Sequence, residues 1–288
     1  MNLTGVLFFP VTPFDPHGRL AGDVLAEHIA AGMRHGPGGV FVACGTGEFT
    51  ALSEAEHAQA VRVATGTVAG RAPVVAGAGG PLGAALGQAR AALDAGADGL
   101  LLMPPYLAKG PRGGYLAYVR AVASVGLPVI VYARDSVVLD PEDVLELAEI
   151  PGVVGLKDGV GDIDRIQRIV LALAGRPDFT FFNGLPTAEL TIPAYRAIGV
   201  TLYSSAVFAF APEIALAFRS GHDRLLTDFY APLVRLRGRV PGYAVSLVKA
   251  GVRLRGLDVG PVRPPLTDLS PDHLDELDGL IKTGLSLL

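Results

Sequence analysis

Cysteine is nearly absent from this 288-residue chain: Cys44 stands alone, so no internal disulfide can form, and a reducing cytoplasm is the expected setting. Tryptophan is missing altogether. No run approaches the ~18 apolar residues that a membrane helix needs, so no membrane association is expected. The N-terminus lacks a basic segment and a cleavage site, so no signal peptide is expected. The six histidines, at 17, 28, 35, 57, 222 and 273, fall at no metal-ligand spacing, and no metal is expected. A net charge of -4, spread evenly, gives no electrostatic case for nucleic acid. Lysine is scarce too. Only Lys109, Lys157, Lys249 and Lys282 occur, and the rest of the 24 basic residues are arginine.

What is present is a large apolar fraction, 50% of residues, distributed as a repeat. Eight short apolar runs, at residues 5–11, 40–43, 73–79, 100–103, 128–132, 153–157, 179–182 and 200–203, alternate with turns and amphipathic stretches. The runs are continuous rather than alternating, as parallel strands covered on both faces should be. Helix-start signals follow several of them. Ser53-Glu54-Ala55-Glu56 is a capping box, Pro81 suits a first helical turn, and Asp140-Pro141-Glu142 and Pro186-Thr187-Ala188-Glu189 open two more helices. Helical patterns are expected over 23–36 and 208–219. Eight strand–helix units within about 215 residues predict an α/β fold, a closed (β/α)8 TIM barrel over residues 1–220. Helical periodicity at 225–239, 243–253 and 272–287 predicts a C-terminal helical extension, residues 221–288, packed on the barrel. An open doubly wound sheet is the alternative. Its dinucleotide signature is poor, because Gly77-Ala78-Gly79-Gly80 is followed by Leu82 where a third glycine belongs.

Lys157 stands at the end of the sixth run, Val153-Val154-Gly155-Leu156-Lys157-Asp158-Gly159. A chain that otherwise uses arginine has kept a lysine where a buried strand meets the active-site face of a barrel. Arginine cannot lose its proton and attack a carbonyl; lysine can. The structural alternative is a strand-end lysine that snorkels to solvent or pairs with Asp158. In a barrel the other strand ends converge on the same cavity. They supply Pro10 and Thr12; Gly45, Thr46, Gly47 and Glu48; Tyr106; Tyr132, Arg134, Asp135 and Ser136; Asn183 and Gly184; and Ser204 and Ser205. Tyr132 is the candidate proton carrier for Schiff-base chemistry, or else a satisfied core tyrosine. Gly45-Thr46-Gly47 offers backbone N–H groups to a carboxylate, or is an ordinary turn. Glu48 is either catalytic or structural. Ser204 and Ser205 hold substrate, or cap the last helix.

These residues resemble the dihydrodipicolinate synthase and N-acetylneuraminate lyase superfamily over nearly the whole chain. The matching features are Gly45-Thr46-Gly47-Glu48, Pro104-Pro105-Tyr106, Tyr132, and Gly155-Leu156-Lys157-Asp158. The resemblance implies that Lys157 forms an imine with a 2-oxo acid, that Tyr132 shuttles protons, and that neither a metal nor an organic cofactor takes part. It also implies a homotetramer with Tyr106 near a subunit contact.

Departures select a branch. Gly45 replaces the first of the two threonines found in the synthases, and Leu107 replaces their second tyrosine. Phe9-Pro10-Val11-Thr12, Arg134-Asp135, Lys157-Asp158-Gly159-Val160-Gly161-Asp162, Pro186-Thr187-Ala188-Glu189 and Tyr203-Ser204-Ser205-Ala206 look like the branch that dehydrates and decarboxylates 5-dehydro-4-deoxyglucarate. That branch usually has asparagine where this chain has Ala133. By this resemblance Arg134, Gly184, Ser204, Ser205 and the 45–47 loop bind the 2-oxo sugar acid. The runner-up is a class I aldolase or lyase for another 2-oxo acid, and the non-enzymatic alternative is a 2-oxo acid sensor.

Overall fold

The computed structural model describes residues 1–106, 108, 110–186 and 188–288. Leu107, Lys109 and Thr187 lie outside the described residues, so the Leu107 departure and the Thr187 motif position receive no structural account. Eight parallel strands form the centre: β1 (Val6–Phe8), β2 (Val40–Val42), β3 (Val74–Ala78), β4 (Gly99–Leu102), β5 (Val129–Ala133), β6 (Val153–Asp158), β7 (Thr180–Asn183) and β8 (Leu202–Ser205). They pair in sequence order, and β8 returns to β1, closing the barrel. The outer layer comprises α1 (Gly22–Met33), α2 (Glu54–Val68), α3 (Leu82–Asp94), α4 (Arg112–Ala123), α5 (Pro141–Ala148), α6 (Ile163–Ala172), α7 (Ala188–Ala197) and α8 (Pro212–Arg219). Three further helices, α9 (Ala231–Arg237), α10 (Tyr243–Leu254) and α11 (Pro271–Ser286), follow. The (β/α)8 barrel and its C-terminal helices are as the sequence predicts.

The continuous apolar runs now have a cause. Alternate residues of each strand face opposite ways. Leu7, Phe41, Val75, Leu101, Ile130 and Phe182 fill the barrel interior. Val6, Val40, Val74, Leu100, Val129 and Leu156 pack outward against the helices. Both faces are dry, so both sets must be apolar. The same parity aims the chemistry. Tyr132 of β5, Lys157 of β6 and Phe182 of β7 are in register and point inward as one layer.

Local signals behave as their chemistry requires. Ser53 accepts the Glu56 N–H while Glu56 reaches back to the Ser53 N–H, completing the capping box on α2. Asp140 and Asp143 do the same at α5. Two segments differ from expectation. β8 begins and ends two residues later than the apolar run 200–203, so both serines lie inside the strand. The predicted helix 225–239 is broken: a π-turn at Leu226–Tyr230 leads into α9. Pro232 in the first turn of α9 has no N–H to donate, so the regular i→i−4 ladder cannot run through it.

The C-terminal helices share the core of the barrel. Phe208, Ile214, Phe229, Leu247 and Leu277 belong to one buried cluster with the outward strand residues. Gly251 allows α10 to meet Phe210, whose ring would lie 2.6 Å from an added Cβ. No helix among the described residues is long and apolar enough to cross a membrane.

Candidate active site

A cavity of about 250 Å³ opens at the C-terminal ends of the strands. Of the predicted residues, Gly45, Thr46, Tyr106, Tyr132, Arg134, Asp135, Lys157, Gly184 and Ser204 line it. Larger clefts of about 400 and 610 Å³ lie on the flank around α4 and α3, but neither reaches Lys157.

Lys157 forms the deep end. Its side chain is only 6% exposed. Nζ sits 4.3 Å from the centre of the Phe9 ring, 4.5 Å from that of Tyr132 and 5.6 Å from that of Phe182. Among the described residues no hydrogen-bond acceptor or carboxylate meets it. Burial away from water therefore pulls its pKa down to about 7, and the positive charge of Arg134 pushes the same way. At neutral pH a large fraction of the amine is unprotonated. The neighbouring Cys44 supplies no counter-charge, since burial raises its thiol pKa to about 12. The alternative pairing with Asp158 does not form. The Asp158 carboxylate points to the helix layer, where it accepts from the Tyr195 hydroxyl and from the N–H groups of Val160 and Gly161.

Gly184 lets the lysine lie flat. An added Cβ there would fall 2.4 Å from the lysine Cγ and Cε. Its carbonyl also accepts the Tyr132 hydroxyl at 2.7 Å. Arg134 Nη1 donates to that same hydroxyl at 3.2 Å. Tyr132 is thus held by a donor and an acceptor, with its ring over Nζ. Burial raises its pKa, and the Arg134 charge opposes the rise. Gly159 leaves room for the ring, which would lie 2.7 Å from a Cβ at that position.

The loop after β2 supplies uncommitted donors. The N–H groups of Gly45, Thr46 and Gly47, and the Thr46 hydroxyl, make no hydrogen bond among the described residues. Gly45 and Thr46 face the cavity, whereas Gly47 does not; its carbonyl accepts the Thr12 hydroxyl at 2.7 Å. Glu48 is structural. It adopts a left-handed backbone (φ 56°) and is clamped by Lys249 Nζ at 2.7 Å and the Arg263 N–H at 2.8 Å. That ion pair ties the loop to α10.

Strand alternation separates the two serines. Ser204 lines the cavity, with its hydroxyl on the Asn183 carbonyl at 3.1 Å. Ser205 turns to the helix layer, where its Oγ accepts the Phe208 N–H at 3.1 Å. Pro10, Thr12, Ser136 and Asn183 also lie off the cavity wall. Asn183 shapes the β7–α7 turn by donating to the Ala188 carbonyl and Thr191. Ala133 packs outward, so its difference from asparagine does not touch the cavity.

Sequence reasoning missed Arg237 at the end of α9, which lines the cavity with Glu189. It also gave no role to Lys249. Neither has a local signal, because each partner lies far away in the chain. Among the described residues no group of three or more His, Cys, Asp or Glu side chains could hold a metal ion. A buried near-neutral amine beside an anchored phenol, facing free N–H donors, is equipped to form an imine with an acid's ketone.

Comparison with known proteins agrees with this geometry. Residues 2–284 match the model of the dihydrodipicolinate synthetase family. A probable 5-dehydro-4-deoxyglucarate dehydratase of Streptomyces avermitilis is 55% identical, covering 99% of this chain and 95% of that one. Another from Delftia acidovorans is 42% identical, covering 96% and 94%. Among solved structures, dihydrodipicolinate synthase from Oceanobacillus iheyensis superposes with a TM-score of 0.87 at 26% identity, covering 98% of this chain and 96% of that one. YagE of E. coli, a family member solved in complex with pyruvate, gives 0.86 at 25% identity, covering 98% of each chain. The chain belongs to the dihydrodipicolinate synthetase family.

Proposed function

We propose that this member of the dihydrodipicolinate synthetase family is a lyase that converts 5-dehydro-4-deoxyglucarate to 2,5-dioxopentanoate, carbon dioxide and water. The observation that carries the proposal is Lys157: a dry, unpaired amine with a pKa near 7, at the base of a cavity with an anchored tyrosine. The identities of 52–56% to five Streptomyces proteins named as probable dehydratases of this substrate support the choice of branch.

Lys157 Nζ attacks the C5 ketone, and Tyr132 hands a proton to the departing oxygen as the carbinolamine loses water. The iminium acidifies the C4 protons. Loss of one gives an enamine, whose electrons expel the C3 hydroxyl; that hydroxyl takes up a proton and leaves as water. The resulting conjugated iminium accepts the electrons of the C1–C2 bond, and C1 leaves as carbon dioxide. Protonation of the dienamine and hydrolysis then release the dioxo acid and restore the amine. The Gly45 and Thr46 N–H groups hold the carboxylate beside C5, Ser204 and Thr46 serve the sugar hydroxyls, and Gly184 positions both lysine and tyrosine. Gly47 and Ser205 act indirectly, by shaping the loop after β2 and the turn after β8.

Borohydride trapping with 5-dehydro-4-deoxyglucarate, followed by peptide mass mapping, tests the assignment. Reduction should leave the substrate-derived adduct on Lys157, and untrapped reactions should release carbon dioxide. An adduct with pyruvate alone, or pyruvate release from a sugar acid, would replace the dehydratase with an aldolase; the pyruvate complex of the YagE relative makes this the second reading. A homo-oligomer, by analogy a tetramer, is the expected assembly, and sedimentation velocity measures it.

A further inference from the structure

Arg237 stands at the end of α9, and its side chain is only 10% exposed. It lines the cavity that holds Lys157, in a wall with Ala244 and Val245 of α10. Its ionic neighbour among the described residues is Glu189, with Nη1 and Oε2 3.8 Å apart, beyond hydrogen-bond range. The guanidinium makes no hydrogen bond among the described residues, and Nε is fully buried without a partner. The two terminal nitrogens, also unbonded, keep accessible surface. A fully buried Nε–H left unmade is costly to the fold, and the four N–H donors on the terminal nitrogens have no protein partner among the described residues. Other arginines of this chain are well used: Arg239 grips Glu276 with two nitrogens, and Arg263 bonds Glu56, Ala51 and Gly18.

Glu189 explains how the charge is tolerated. It is 1% exposed, and its Oε1 is occupied by the Ala206 N–H at 3.2 Å. It neutralises Arg237 from a distance without taking its donors. The position of Arg237 also differs from that of Arg134. Arg134 is committed beside the amine, donating to the Tyr132 hydroxyl whose ring lies over Nζ, whereas Arg237 enters the same cavity from α9 and makes no hydrogen bond to Tyr132.

We propose that Arg237 binds the carboxylate remote from the imine carbon, and so makes the cavity selective for 2-oxo diacids over 2-oxo monoacids. This deepens the proposed function and rests on it for the identity of the diacid. A guanidinium fork suits a carboxylate, and bidentate contact would satisfy donors that the protein leaves unmade. Glu189 then has a second use. When the C1–C2 electrons pass into the conjugated iminium and neutral carbon dioxide departs, Arg237 loses its partner. The nearby Glu189 keeps the charge compensated, so the carboxylate is oriented without being held too firmly to leave.

The test separates chain length from charge. Wild type, Arg237→Gln and Arg237→Lys are trapped with borohydride on 2-oxoadipate, on 2-oxohexanoate and on pyruvate, and 5-dehydro-4-deoxyglucarate turnover is measured in parallel. Wild type should prefer 2-oxoadipate to 2-oxohexanoate. Arg237→Gln should lower that preference by roughly 10- to 100-fold, as expected for lost charged hydrogen bonds, and Arg237→Lys should lower it less. Pyruvate trapping on Lys157 should stay within about twofold, because pyruvate has no remote carboxylate. Glu189→Gln, which removes the competing carboxylate, should strengthen the preference. An unchanged preference in Arg237→Gln, or a parallel loss of pyruvate trapping in both Arg237 variants, would overturn the proposal. If wild type selects 2-oxoadipate through Arg237 but does not dehydrate the sugar acid, the dehydratase assignment fails while the diacid selectivity stands.

Discussion

Two lysines among the described residues are buried, and they do opposite things. Lys157 ends β6 with its Nζ 4.3 Å from the centre of the Phe9 ring; Lys249 sits in α10 with its Nζ 4.2 Å from that of Phe14. Lys249 is the more deeply buried, at 0% exposed against 6%. The difference lies in what each amine can reach. Lys249 donates to Glu48 and to the Pro261 carbonyl, both at 2.7 Å. Burial pulls its pKa down, and Glu48 opposes that pull. Lys157 has no acceptor among the described residues, so burial dominates and holds its pKa down at about 7. Burial alone therefore does not make a lysine a nucleophile. Burial without a partner does, and burial with a carboxylate makes a structural tie.

The contrast can be broken at its strongest point first. Lys157→Arg keeps a positive charge but cannot form an imine, so borohydride trapping should vanish and turnover should fall on the order of 10⁶-fold. A Lys249 variant that traps normally on Lys157 would confirm that the two amines are not interchangeable. Tyr132→Phe removes the proposed proton carrier while keeping the ring over Nζ. It should slow turnover by roughly 10²- to 10⁴-fold, while the slowly formed adduct still maps to Lys157.

Lys249→Met leaves Glu48 buried and unpaired. Denaturant unfolding should show a loss of about 3–5 kcal/mol, and the double variant Glu48→Leu with Lys249→Met should recover much of it. The smallest effect is a pH slope. The rate of pyruvate trapping should rise about tenfold per unit up to about pH 7 and then level off, as the amine becomes neutral. Stability responds with a defined sign. Between about pH 7 and 10.5 the unfolded chain holds a proton on Lys157 that the folded chain has lost. Wild type should therefore gain up to about 1.4 kcal/mol per pH unit over that window relative to Lys157→Met, which lacks the titrating group. Urea midpoints at several pH values measure it. A flat difference would mean that Lys157 titrates near its ordinary value.

Much of this was legible in the residue order. Eight apolar runs separated by helix-start signals are local patterns, and Ser53–Glu56 and Asp140–Asp143 act within a single turn. Lys157 was conspicuous because the chain uses lysine so rarely. The serines show where legibility ended. Ser204 and Ser205 are equivalent on paper, but the strand starts at Leu202, and parity sends only Ser204 to the cavity. Gly47 is indistinguishable from Gly45 and Thr46 in the sequence, yet its carbonyl accepts the Thr12 hydroxyl and it lies off the cavity wall. Glu48 reads equally as catalytic or structural in the sequence, and the partner that makes it structural, Lys249, lies 201 residues further along the chain.

The sequence by itself determined the barrel, the strand that carries the lysine and the chemistry an unpaired lysine there can perform. These follow from periodicity, capping and residue type, all of which act over a few residues. The tertiary structure alone decided which lysine is free and which is paired, which of two adjacent serines meets the cavity, and that Arg237 from the C-terminal helices completes the cavity wall. Those outcomes depend on side chains brought together across more than 200 positions, and on a dielectric environment that exists only once the core has closed.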